Sequence, residues 1–342
     1  MARDKLLCTG AAGFAGAHIV GHLMANTDWD IVALDRLSYA GSLERLAEWQ
    51  GNPRLKVVFH DFRAAYPASV LHALEGVRYV IHNGAETHVE RSIQDPEPFI
   101  TSNVVGTMNT LEAARQLGVE HFIYVSTDEV HGPAPRGVDF TEESPIRPSN
   151  PYSASKAGGE ALAFAWWKCY QLPVTCTRTM NLIGETQHAE KFVPMCIRQT
   201  LRGERILIHG KRNGDGTWII GARKWIHARN QADALLFLLQ RQRQEASQGG
   251  NRRAILGETF HIAGVERNNL EIAEFVAQTL NKKLDHEIVD IHADRPGHDL
   301  RYSLCDDKIK SLGWSPPIPF EESLRKCVQW YVQPGNVRWL EV

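Results

Sequence analysis

The chain has 342 residues, 43% of them hydrophobic, and a formal charge of -2 at pH 7. That profile suits an ordinary soluble globular protein with enough length for a large core or two domains. Its longest basic runs, Arg241-Gln242-Arg243 and Arg252-Arg253, are short, so nucleic acid is not an expected partner. No apolar stretch approaches the ~20 residues that span a bilayer. Met1-Ala2-Arg3-Asp4-Lys5 leads into a strand without a signal-peptide pattern. The six cysteines have no paired spacing and no neighbouring histidines, which points to reduced thiols, no metal cluster, no membrane contact and a cytoplasmic location.

In chain order, Lys5-Leu6-Leu7-Cys8-Thr9 reads as a strand, followed by the glycine-rich turn Gly10 to Gly16 and an apolar helix over 17–24. Gly10, Gly13, Phe14, Ala15 and Gly16 would let a pyrophosphate approach backbone N–H groups at a helix N-terminus. A second strand over 30–34 ends at Asp35, an acid placed to accept a ribose 2'-hydroxyl and to repel a 2'-phosphate. Arg36 argues for the phosphorylated cofactor; Asp35 outweighs it, so NAD is expected rather than NADP.

A third strand over 55–59 runs into Asp61 and Phe62, where Asp61 either meets the adenine end of the cofactor or merely starts the next helix. A fourth over 77–82 runs into small residues and then Ala85, Glu86 and Thr87, where the backbone can pass close to a bound cofactor. A long helix from about 98 to 117 precedes the strand 122–125, which delivers Ser126, Thr127, Asp128 and Glu129. Tyr152 and Lys156 then stand four residues apart on a helical pattern, so they share a face. The lysine charge there should lower the tyrosine pKa and make the phenol a usable base. The second half offers strands over 172–178 and 257–264 and helices over 270–280 and 321–331. Alternating strands and helices imply a Rossmann-type doubly wound parallel sheet, with ligands at the carboxyl ends of the strands. Residues 1–180 are expected to form the NAD-binding domain. Residues 181–342 should form a smaller substrate-binding lobe, with some segments returning to the sheet.

These residues resemble the extended short-chain dehydrogenase/reductases and, within them, the dTDP-glucose 4,6-dehydratase family, over nearly the whole length. The likeness rests on the glycine turn, Asp35 to Leu43, Ala85 to Ser92, Ser126 to Val130, Pro151 to Lys156 and Ala293 to Asp299. Thr127-Asp128-Glu129 is the most discriminating, because related epimerases replace the acid pair. The resemblance implies that Tyr152 takes the sugar 4-hydroxyl proton and that Lys156 tunes Tyr152 and holds the cofactor ribose. It also implies that Glu129 acts as base at C5 and Asp128 as acid behind the C6 hydroxyl. It makes His88, Asn181, Lys191, Arg223, Arg295 and His298 candidate contacts to a nucleotide-diphosphate sugar, and the long helices 98–117 and 155–171 a homodimer interface. The chain departs from the family at Met180-Asn181-Leu182-Ile183-Gly184, His131, Arg229-Asn230 and the segment 212–218. The nucleotide and the sugar are therefore less determined than the chemistry. An epimerase or another short-chain oxidoreductase is the alternative enzyme, and a non-catalytic NAD-binding scaffold is the other.

Overall fold

The apolar runs become strands. In this computed structural model, which describes residues 3–247, 255–291 and 299–341, the first six are β1 (Lys5–Thr9), β2 (Asp30–Asp35), β3 (Leu55–Phe59), β4 (Tyr79–His82), β5 (His121–Thr127) and β6 (Val174–Thr179). The later strands are β7 (Asn181–Ile183), β8 (Ile206–Arg212), β9 (Trp218–Ile220), β10 (Ala222–His227), β11 (Thr259–Ile262), β12 (Val265–Asn268) and β13 (His286–Asp290).

The central sheet has the order β11-β6-β5-β4-β1-β2-β3 and every pairing in it is parallel. Every residue of β5 and β6 is buried, as expected for strands covered on both faces. One face packs Leu6, Ile31 and Ile123 against the helices Phe14–Asn26 and Ala228–Ser247. The other packs Leu7, Val80 and Phe122 against the helices Gly106–Leu117 and Pro151–Tyr170. The chain winds outward from β1 in both directions, so a crevice opens between the carboxyl ends of β1 and β4.

The helix expected from 98 to 117 is interrupted. After Glu97–Ile100 the backbone widens into a π-turn, Thr101–Val105, before resuming as Gly106–Leu117. The widened turn points Asn103 inward. Its amide donates to Glu86 O and Ser155 Oγ, both at 2.9 Å, and its Oδ1 accepts from Glu86 N, also at 2.9 Å. A π-turn at a functional loop is a recurrent device; here it ties the segment after β4 to the helix Pro151–Tyr170.

The second half builds two three-stranded sheets, β12-β10-β7 and β13-β8-β9. Ile183, Ile206, Trp225 and Ile272 share a core there with Leu324 of the helix Phe320–Tyr331.

Candidate active site

The glycine turn works through close contacts. Gly10 sits at φ +65°, and a Cβ on it would lie 2.6 Å from Gly84 Cα; a Cβ on Gly16 would lie 2.0 Å from Gly10 O. Neither position admits a side chain, so the turn stays tight. Asp35 at the end of β2 accepts from Ala12 N at 2.9 Å and Leu37 N at 2.7 Å. Each of its oxygens keeps capacity for a further donor, such as a ribose hydroxyl. Arg36 pairs with Glu86 and stands 3.6 Å from Asp61, which in turn receives the guanidinium fork of Arg63. Two carboxylates therefore offset the charge that a 2'-phosphate would need. The ambiguity at Arg36 resolves toward NAD, and the residues present fit that cofactor.

At the end of β5 the backbone tightens into a 3-10 turn, Asp128–His131, capped by Thr127. Thr127 Oγ1 donates to Asp128 Oδ1 at 3.0 Å and accepts from Glu129 N at 3.4 Å. The Asp128 carboxyl is pushed up to about 7, first by burial and then by the neighbouring Glu129 carboxylate. Glu129 Oε2 accepts from Asn150 Nδ2 at 3.2 Å. Asn150 also caps the helix Pro151–Tyr170 through a reciprocal capping box with Ser153, with Pro151 at the first position. One residue thus fixes both the acid pair and the start of the helix that carries Tyr152.

The expectation that Lys156 lowers the Tyr152 pKa is corrected. Lys156 Nζ donates to Val125 O at 2.6 Å and lies 4.5 Å from the Tyr124 ring centroid. Burial lowers its pKa to about 7. The Tyr152 phenol is raised above its ordinary value by burial, then by Glu129, with the Thr127 hydroxyl pulling the other way and Asp128 adding to the rise. Sharing a helix face fixed the side of the helix for both residues, but the strand carbonyl captured the ammonium.

Behind the acid pair, His131 stacks on Phe140 and its ring nitrogens meet Pro145 O and Arg178 Nη1, each at 3.0 Å. The departure at His131 therefore lies in a buried network and outside the cavity wall. Arg178 is anchored by Glu160, with Nη2 2.5 Å from Oε1, both side chains being buried.

A cavity of about 690 Å³ runs along the crevice. Its wall brings together Gly10, Gly13, Phe14, Ala15, Asp35, Arg36, Phe62, Ala85, Thr87, His88, Ser126, Thr127, Asp128, Glu129, Tyr152, Lys156, Asn181, Lys191 and Arg223. Gly16, Asp61 and Glu86 stand outside this wall: Gly16 packs the turn, and Asp61 and Glu86 hold Arg36. Arg295 and His298 lie outside the described residues. Arg223 donates to Leu300 O at 2.7 Å and Asp299 O at 2.5 Å, with its guanidinium 4.7 Å from the Tyr302 ring centroid. His88 Nε2 and Lys191 Nζ stand 3.5 and 3.7 Å from Glu190. The unusual segment 212–218 is the exposed turn between β8 and β9, whereas Leu207 and His209 of β8 face the cavity.

Sequence reasoning missed Arg45, Gln187, Gln231 and Tyr302, all of which line the cavity. Arg45 bonds Ala12 O and Thr186 O, both at 3.0 Å, joining the glycine turn to the second half. No local pattern announces such a residue, because its partners are carbonyls 33 and 141 positions away.

Residues 6–263 match the model of the NAD dependent epimerase/dehydratase family. The chain is 37% identical to the dTDP-glucose 4,6-dehydratase of Neisseria meningitidis, with 98% of this chain and 94% of that protein covered. It is also 37% identical to the low-salt glycan biosynthesis protein Agl12 of Haloferax volcanii, over 96% of this chain and 98% of that one. Among solved structures it superposes on DesIV, a dTDP-glucose 4,6-dehydratase from Streptomyces venezuelae crystallised with NAD. The TM-score is 0.85 at 36% identity, with 98% of this chain and 99% of that chain covered.

Proposed function

Because the chain belongs to the NAD dependent epimerase/dehydratase family, we propose that it is an NAD-dependent 4,6-dehydratase, which converts a nucleotide-diphosphate hexose into its 4-keto-6-deoxy derivative. The observation that carries this reading is the adjacency of Asp128 and Glu129 on one turn, with Asp128 holding its proton near neutral pH and Tyr152 lining the same cavity. An epimerase that oxidises and re-reduces C4 has no use for a second acid and base. A dehydratase needs both.

When bound, NAD accepts hydride from C4 of the sugar and later returns it to C6. Tyr152 receives the 4-hydroxyl proton as a phenolate, a form that the positively charged nicotinamide of bound NAD would favour against the burial that raises the phenol. The 4-ketone acidifies the hydrogen at C5. Glu129, oriented by Asn150, takes that proton as base, and Asp128 gives its own to the C6 hydroxyl, which leaves as water. Glu129 returns its proton to C5, and the proton held by Tyr152 passes through solvent to Asp128, so the enzyme is restored and no net oxidation remains.

Gly10, Gly13, Phe14 and Ala15 cradle the cofactor pyrophosphate, Asp35 takes the ribose hydroxyl, and Ser126 and Lys156 border the nicotinamide end. Asn181, Lys191 and Arg223 hold the diphosphate of the substrate, with Arg295 and His298 added by the family resemblance. Arginine suits that task because its fork donates two parallel hydrogen bonds to phosphate.

The active form is a homodimer paired through the helices Gly106–Leu117 and Pro151–Tyr170. Ile100, Val105, Met108 and Tyr170, on those helices or in the turns just before them, are exposed apolar side chains of the kind that association covers. Light scattering that returns a monomeric mass would remove this part of the reading. No helix among the described residues is long and apolar enough to cross a membrane, and with six free cysteines the cytoplasm is the compartment proposed. Incubating purified protein with dTDP-, UDP- and GDP-hexoses tests the activity. A product lighter by one water and carrying a 4-keto group is expected from at least one of them, and intact substrates throughout would sink the reading.

A further inference from the structure

Away from the reacting groups, His18, Glu185 and His227 bring three ligand atoms within 4.8 Å of one another. They come from three elements: the helix after the glycine turn, the loop after β7 and the last residue of β10. The spacing would suit a divalent ion, but the hydrogens argue for a different use. His227 Nδ1 accepts from Arg229 N at 3.0 Å, which puts the ring proton on Nε2, 3.1 Å from Glu185 Oε2. A metal-binding histidine normally donates from its outer nitrogen; here the outer nitrogen accepts. His18 Nε2 lies 3.0 Å from Glu185 O, so it too must carry a proton, and it stands 3.9 Å from the carboxylate. Arg229 adds positive charge near His18. Both imidazoles therefore present N–H groups to Glu185. Burial alone would raise the Glu185 carboxyl, but the His227 and His18 rings that face it outweigh burial and bring it down to about 2.

The surroundings give this clamp a purpose. A Cβ on Gly184 would lie 3.0 Å from His18 Nε2 and 3.1 Å from the Phe14 ring, and Phe14 meets His18 edge-on at 5.2 Å. Phe14 and, just beyond Glu185, Gln187, His188 and Lys191 all line the cavity, Phe14 in the proposed cofactor cradle and Lys191 in the proposed diphosphate site. Tyr331 Oη donates to Gly184 O and Gln187 O, both at 3.2 Å, and fixes the loop from its far side.

We propose that Glu185 is a positioning residue whose carboxylate, held by His18 and His227, locks the substrate-side loop to the glycine-turn helix, so that cofactor and nucleotide sugar each tighten the binding of the other. This rests on the nucleotide-sugar reading given above. The test is the affinity of the full-length protein for NAD, by titration calorimetry, with and without saturating dTDP, UDP or GDP, whichever binds the NAD-loaded protein best. Wild-type protein is expected to bind NAD about fivefold or more tightly with the nucleotide present, in the usual range of such coupling. In Glu185→Gln the enhancement should fall close to onefold, and KM for the sugar nucleotide should rise more than kcat falls. If that variant does not fold, His18→Leu, which removes only the cofactor-side N–H, serves the same measurement. Coupling unchanged in the variant, absent from the wild type, or accompanied by stoichiometric zinc in purified wild-type protein overturns the inference. Failure of all three nucleotides to bind overturns the functional reading and this inference with it, whereas binding without coupling overturns this inference alone.

Discussion

Thr127 Oγ1 is bonded to Asp128 Oδ1 at 3.0 Å, while Asp128 Oδ2 is buried with no hydrogen-bond partner among the described residues. One oxygen of the carboxyl is thus spoken for by a donor, and the other is the natural seat of the proton that burial retains. An acid so arranged has a fixed direction of delivery, which a solvated aspartate lacks.

Its titration makes the first prediction. Asp128 is raised from 3.8 to about 7, so activity should fall above pH 7, by about tenfold per pH unit once the proton is lost. A pH–rate profile of kcat checks this, and a flat profile to pH 9 would contradict it. The stability sign follows from the same shift. The folded state keeps a proton that the unfolded chain releases between these values, so the contribution of this group is present at low pH and lost as pH rises through 7. Asp128→Asn should therefore gain melting temperature relative to wild type at pH 8 and not at pH 4.

Separating oxidation from elimination gives the second. Glu129→Gln should still reduce NAD when given substrate, seen as the absorbance of the reduced nicotinamide, yet form dehydrated product about 10²- to 10⁴-fold more slowly. Tyr152→Phe should fail at the earlier step and show neither signal. An epimerase would lose little with Glu129→Gln, so an unaffected variant would favour that alternative.

The carboxylates around Arg36 make a third. Glu86→Gln removes the strongest partner of that guanidinium and leaves it only the more distant Asp61, so that it can turn to a 2'-phosphate. NADP affinity should rise roughly tenfold, about 1.4 kcal/mol, while NAD affinity changes little. Calorimetry with both cofactors reads the outcome, and unchanged NADP binding would show that Asp35 alone sets the preference.

The fourth concerns the pair behind the acids. Glu160 and Arg178 are buried and joined at 2.5 Å. Glu160→Gln leaves an uncompensated guanidinium inside and should cost about 3–5 kcal/mol in denaturant unfolding. The cost should be far greater than that of breaking the solvent-screened, exposed Arg115–Glu112 pair.

The sequence exposed the parts of the molecule that repeat a local rule. Gly10 before a helix, Asp35 at a strand end, and Tyr152 four residues from Lys156 are short-range statements, and their elements formed at nearly the boundaries expected. It was silent where the partner is distant or the backbone departs from its period. The π-turn at Thr101–Val105 breaks a run that reads as one helix. The Lys156 ammonium goes to a carbonyl 31 residues away. His18, Glu185 and His227 are separated by more than 160 and 40 positions along the chain, so only the packed fold reveals them as one cluster.

Strand β11 joins the sheet beside β6 although some eighty residues of chain, including most of a second core, lie between them. During synthesis the ribosome releases β6 with one hydrogen-bonding edge bare, and that edge must wait until residues 259–262 emerge. A nascent chain halted before that point carries an exposed parallel edge, the surface through which neighbouring chains stick together. Truncation products of this protein should accordingly be insoluble or held by chaperones, even though every glycine and acid of the catalytic crevice has already been made.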